Sequence, residues 1–197
     1  MRTVHSAFLA AVLFLAVGCG GVSGDFTARE AGLAMDLPSG WAQGAPKTAG
    51  GFYANRDGMH FFADRAKDFP QGSVMLFPLE GETLLAHAEN AIEQEKSMTG
   101  MFKAMVEFTG RMAPPEADES VKEAQEALET EITGPEEITV DGRTAYAAVF
   151  KTPDITTRRL FIAKGDEVIE VIFQAETPDW PEYEAAFREM EASIRLD

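Results

Sequence analysis

Four thioethers fall close together along the chain. Met98, Met101, Met105 and Met112 are interleaved with Phe102 and Phe108. Thioether sulfur is a soft ligand of the kind that holds Cu(I). It is also an adaptable filler of apolar cores, and on a surface it makes loose contacts with partner proteins. The spacing favours the core. Leu84, Ala88, Ala91, Met98, Phe102 and Met105 recur at multiples of three and four and share one helix face, which Glu95 interrupts. Two histidines lie beyond the N-terminal segment: His60 in a strand-like run and His87 between two alanines on a helix. Neither has a second histidine four residues on, so neither forms a metal motif, and both read as surface or half-buried structural residues. A Ser-His-Asp arrangement assembled in space would make the chain a hydrolase. No Gly-x-Ser-x-Gly elbow and no Gly-rich phosphate loop supports that alternative. No catalytic residue, metal site or cofactor is therefore assigned; Met98, Met101, Met105 and Met112 are the alternative copper ligands. Between Glu116 and Glu137 lie nine acidic residues and one lysine, without the pattern of a calcium-binding loop. They read as a solvated face.

Cys19 is the only cysteine, so no internal disulfide forms. It closes the run Leu15-Ala16-Val17-Gly18-Cys19 after Ala7–Val17, a stretch without one polar side chain. As a helix that stretch would be roughly 16 Å long, against a hydrocarbon core of about 30 Å. It is too short to span a membrane and has the size of a signal-peptide core, with Arg2 as its positive start. The arrangement resembles the signal peptide and lipobox of bacterial lipoproteins, with Ala16 where Leu is commoner. The resemblance implies cleavage between Gly18 and Cys19 and attachment to a membrane through acyl chains on Cys19. Two or more chains anchor stably where one does not. Gly20 follows the cysteine where an aspartate would retain the protein at the inner membrane, which implies the outer membrane, facing the periplasm. Gly20-Gly21-Val22-Ser23-Gly24 reads as a flexible tether over 19–25.

Removing residues 1–18 takes away Arg2 and leaves 33 acidic against 16 basic residues, a net charge of −17. That balance disfavours nucleic acid, because phosphate neutralisation needs a basic patch. It equally disfavours adhesion of the folded part to anionic lipid. Attachment then falls to the acyl chains. The length that remains suits one domain, 26–197.

Leu33, Met35 and Leu37 alternate with Ala34 and Asp36, a strand that Pro38-Ser39-Gly40-Trp41 ends in a turn. Asp57-Gly58 between Phe52-Tyr53-Ala54 and Met59-His60-Phe61-Phe62 predicts a hairpin. Pro70-Gln71-Gly72 reads as a turn before a short strand, Val74–Phe77. From Glu82 to about Thr130 the chain reads as helical, interrupted at Pro114-Pro115. Strands follow over 137–140, 144–151, 159–164 and 167–174, with Asp141-Gly142 and Gly165-Asp166 as hairpin turns. The last strand is apolar on both faces along its middle, which predicts a central position with cover on each side. Trp180, Tyr183, Phe187, Met190 and Ile194 form the stripe of a closing amphipathic helix. Asp179 stands at its N-cap and Glu182 at the capping-box position.

This order predicts an α+β fold, an antiparallel sheet flanked by helices. Leu37-Pro38-Ser39-Gly40-Trp41, the hairpin Val140-Asp141-Gly142-Arg143-Thr144-Ala145-Tyr146 and the run Gly165–Val171 before a terminal helix are similar to the PsbP/DcrB-like superfamily. The resemblance covers about residues 26–197. It implies a three-layer αβα sandwich and a non-catalytic accessory or binding role, with no catalytic residues to transfer. The segment around 97–120 is longer than the pattern, as a helical insertion would be. The expectation is an envelope lipoprotein carrying a binding module, with the membrane and an envelope protein as its partners.

Overall fold

The computed structural model describes residues 25–44, 59–67, 71–112 and 118–197. Cys19, the apolar leader, Asp57-Gly58 and Pro114-Pro115 lie outside the described residues.

The strands are β1 (Phe26–Ala28), β2 (Leu33–Met35), β3 (Trp41–Gln43), β4 (His60–Asp64), β5 (Gln71–Pro78), β6 (Glu131–Val140), β7 (Arg143–Lys151), β8 (Ile155–Lys164), β9 (Glu167–Glu176) and β10 (Arg195–Leu196). The helices are α1 (Leu84–Met112), α2 (Asp118–Ala127) and α3 (Trp180–Ala192). Seven strands form one antiparallel sheet in the order β3-β4-β5-β9-β8-β7-β6. A small sheet, β1-β2-β10, lies beside it. The fold is α+β, with α1 on one face of the large sheet and α3 on the other.

β9 occupies the centre, as its two apolar faces require. Ile169, Val171 and Phe173 enter the core under α3 together with Tyr183, Phe187 and Met190. Val168 faces the other way, against Ala88 and Ile92 of α1 and Phe161 of β8. Alternation along a strand thus feeds two cores from one element.

The turns obey local chemistry. Trp41 N–H donates to the Pro38 carbonyl at 3.0 Å, closing a turn whose third residue, Gly40, has φ +90°. Only glycine adopts that conformation readily. Asp141 and Gly142 have φ +48° and +74°, the mirror-image turn that joins two twisted strands in two residues. Thr83 Oγ1 accepts from Ala86 N–H at 3.1 Å and caps α1.

Several expectations need correcting. Gly72 is not in a turn but inside β5, where a Cβ would lie 2.2 Å from Phe62 Cζ. It is glycine because an aromatic ring lies across the strand. Among the described residues β4 pairs with β3 and β5, and the strand expected at Phe52-Tyr53-Ala54 lies outside them. β6 begins six residues before the predicted 137, at Glu131, because a register shift between Thr133 and Glu136 breaks its alternation around Pro135. Proline is tolerated there because β6 is an edge strand. Asp179 makes no side-chain cap on α3; its backbone carbonyl accepts from Glu182 N–H instead, at 2.9 Å.

Candidate functional site

α1 is 29 residues long, about 43 Å. Its first half is seated: Ala88 and Ile92 are buried, and Leu84 and Ala91 pack on the same cluster. Glu95, the apparent interruption of the face, ion-pairs with Arg159 of β8 at 3.0 Å. The Arg159 guanidinium lies 4.6 Å over the Phe150 ring. Its neighbour Arg158 points to the opposite face and grips Glu191 of α3 through two bonds of 2.9 and 3.0 Å. Two consecutive arginines on β8 therefore tie the two helical layers to the sheet.

Beyond Glu95 the helix leaves the sheet and runs unbroken through Gly100 to Met112. The second half packs on α2. Gly110 sits so close to that helix that a Cβ would lie 2.6 Å from Val121 Cγ1. Lys103 and Glu107 face Lys122 and Glu126 across a shallow polar groove. The residues turned away from α2 are Met98, Met101, Phe102, Met105, Phe108 and Met112, at 42 to 75 % exposure. The core-packing expectation is therefore wrong for this half. The cause is the mismatch between a near-seven-residue repeat and 3.6 residues per turn, which carries the stripe about 20° around the helix per repeat. The sheet has also ended beneath it.

Met98, Met105 and Met112 follow one another at seven-residue steps, each about 10 Å along the axis, with Met101 between the first two. The four thioethers therefore span about 21 Å and do not converge on one point.

Both histidines are partly buried. His87 Nε2 meets Glu170 Oε1 at 3.2 Å, beneath α1, with the Phe77 and Phe161 rings 6.2 and 6.0 Å away. Glu170 is a buried carboxylate on the central strand, and the imidazole is its ionisable partner. His60 Nε2 lies 3.8 Å from Glu30 Oε2 and is buried without a hydrogen bond. Among the described residues no hydroxyl hydrogen-bonds to either ring, so a nucleophile–histidine pair is not assembled there. A polar ladder crosses the same face: Gln71 Nε2 donates to Gln174 Oε1, and Gln174 Nε2 donates to Thr157 Oγ1, at 3.3 and 3.1 Å.

Among the described residues, three groups near the surface are displaced from their ordinary titration. The hydrogen bond to Arg195 holds the Asp36 carboxyl below the usual range, and the same bond raises Arg195. The hydrogen bond to the Tyr183 hydroxyl raises Lys67. The first pair clasps the end of β2 to β10; the second fastens the stretch after β4 to α3. Both are structural. Glu119, Glu123 and Glu126 of α2 and Glu131, Glu136 and Glu137 of β6 are exposed, as a solvated face should be.

No protein-family model matches the chain, and no curated protein sequence does. The solution structure of cyanobacterial PsbP (CyanoP) from Synechocystis sp. PCC 6803 matches with a TM-score of 0.52 at 15 % identity, over 91 % of this chain and 97 % of that one. The PsbP-like fold expected from the sequence is thus the fold observed. LpqN of Mycobacterium tuberculosis, involved in cell envelope biogenesis, has a TM-score of 0.42 at 9 % identity over 83 % of this chain and 82 % of its own. Mog1p of Saccharomyces cerevisiae, a Ran-binding protein, has 0.43 at 10 % identity over 83 % and 89 %. Among the described residues no helix is long and apolar enough to cross a membrane.

Proposed function

We propose that the chain is a lipid-anchored envelope protein whose α+β domain is a non-catalytic binding or accessory module, with the α1–α2 arm as its contact surface. The observation that carries this reading is the exposed Met/Phe stripe. Six large apolar side chains stand in solvent along one face of an ordered helix. Contiguous apolar surface of that kind marks interaction sites. Methionine adds the adaptability of surfaces that accommodate a partner. The anchor rests on Cys19 and the apolar run before it. Acyl chains there would hold the arm near envelope proteins, and the acidic charge would keep the domain off anionic lipid.

The test uses the full-length protein in cells. Cys19→Ser is expected to abolish acyl labelling and release the protein from the membrane fraction. A photo-crosslinking residue at position 108 is expected to give a discrete protein adduct that the same residue at Asp154, in the β7–β8 turn and outside the apolar stripe, does not. Acyl label persisting in Cys19→Ser would remove the anchor. Equal adduct patterns at 108 and 154 would remove the arm as the contact surface.

A further inference from the structure

The stripe on the outer half of α1 continues its repeat without the charged interruption that Glu95 makes in the core-facing half. Met98, Met101, Met105, Phe108 and Met112 are separated by three, four, three and four residues. That is the a/d spacing of a two-helix seam. The positions flanking such a seam are Ser97, Phe102, Ala104, Thr109 and Arg111. They include no carboxylate and one cation, in a chain of net charge −16. α2 lies on the other side of the helix, at Gly110 and Glu107, and leaves the seam clear.

We infer that the occupant of this seam is a second copy of the chain, with the two α1 arms paired antiparallel about Met105. The inference rests on the arm being the contact surface. Reversal about Met105 places Met98 opposite Met112, Phe102 opposite Phe108 and Met105 opposite its own copy, so each of the first two pairs occurs twice. Arg111 comes opposite Thr99, and no like charges meet. The antiparallel sense follows from charge. A parallel pair would bring two acidic bodies together at one end of the arm, whereas an antiparallel pair sets them at opposite ends. The area is sufficient. Large side chains present about 150–250 Å² each. Six of them at 42 to 75 % exposure offer at most on the order of 700 Å² per copy, so full burial gives about 1,400 Å² in the pair, within the range of specific interfaces. The two-fold symmetry makes the contact close on itself as a dimer.

The test exploits the absence of any cysteine besides Cys19. In full-length chains carrying Cys19→Ser, Met105→Cys is expected to form an oxidative dimer at least tenfold more efficiently than Met98→Cys or Met112→Cys alone. Residues 98 of the two copies would be about 21 Å apart. Mixing Met98→Cys with Met112→Cys chains should restore the crosslink. In sedimentation velocity, Phe108→Glu should raise the dissociation constant at least tenfold, while Phe108→Met retains the dimer. Unchanged circular dichroism shows that neither variant unfolds.

Efficient self-crosslinking at all three positions would mean parallel pairing and overturn the antiparallel arrangement. A chain monomeric to about 100 µM, where a micromolar dimer would be nearly complete, overturns the second copy altogether. If that monomer gives a discrete adduct with another envelope protein through position 108, the binding-module reading stands and the dimer falls. If it gives none but co-sediments with phosphatidylglycerol–phosphatidylcholine vesicles through Phe108, the stripe belongs to a lipid surface. Both the dimer and the protein-contact reading then fall.

Discussion

α3 and the outer half of α1 carry the same kind of stripe and meet opposite fates. In α3, Tyr183, Phe187 and Met190 are buried, with Trp180 partly covered. In α1, Met101, Met105, Phe108 and Met112 are all more than half exposed. The spacing of three and four is alike in both. The difference lies in where each helix begins and how long it is. α3 has 13 residues, about 20 Å, and lies wholly over the large sheet, whose strands span about 29 Å at 4.8 Å spacing. α1 has 29 residues, about 43 Å, and outruns the strands beneath it. A periodic apolar stripe states that a face is suited to cover; the geometry of the rest of the chain decides whether that cover comes from within.

Substitutions that treat the two stripes alike should break this comparison if it is wrong. The largest effect is expected from Phe187→Ala in α3. Its ring packs on Trp41, Phe173 and Trp180 at centroid distances of 5.9, 5.3 and 5.2 Å. Losing it should cost about 3–5 kcal/mol in denaturant unfolding. A cost under about 1 kcal/mol would mean that α3 is not the seated helix.

The next effect separates the two arginine ties. Glu191→Ala leaves Arg158, 3 % exposed, without its bidentate partner and should cost about 3 kcal/mol. Glu95→Ala leaves Arg159, whose side chain is 25 % exposed and rests on Phe150, and should cost about 1 kcal/mol. Equal costs would show that the inner half of α1 is held as tightly as α3. The smallest effect on stability is expected from Phe108→Ser. With 65 % of the residue already in solvent, unfolding of the monomeric chain, at concentrations too low for self-association, should shift by no more than about 0.5 kcal/mol. A larger loss would place Phe108 in a core after all.

Legibility followed the range of the interactions involved. The hairpins at Asp141-Gly142 and Gly165-Asp166 were readable because two residues and their φ angles decide each turn. β9 was readable as central because both of its faces are apolar. β10 was not, since two residues carry no period and pair with β2 only through chain closure. The first half of β6 was hidden by the irregularity at Gly134-Pro135. Gly72 looked like a turn glycine because the ring that requires it, Phe62, is on another strand. Among the candidate residues, His87 was visible as an isolated imidazole but its partner Glu170 was not, being 83 residues away. Glu95 looked like a flaw in an apolar face until Arg159 came opposite it.

The sequence by itself determined the alternating strands, the turn chemistry, the two amphipathic helices and the α+β order in which they follow one another. These depend on neighbours within a few residues, where backbone preference and side-chain period act directly. Only the tertiary structure decided which apolar stripe became core and which became surface. It also decided that Arg158 and Arg159 bind opposite layers, and that the methionines of α1 stand in solvent. Those outcomes depend on how far a helix extends past the sheet beneath it, a relation between distant elements that no local period encodes.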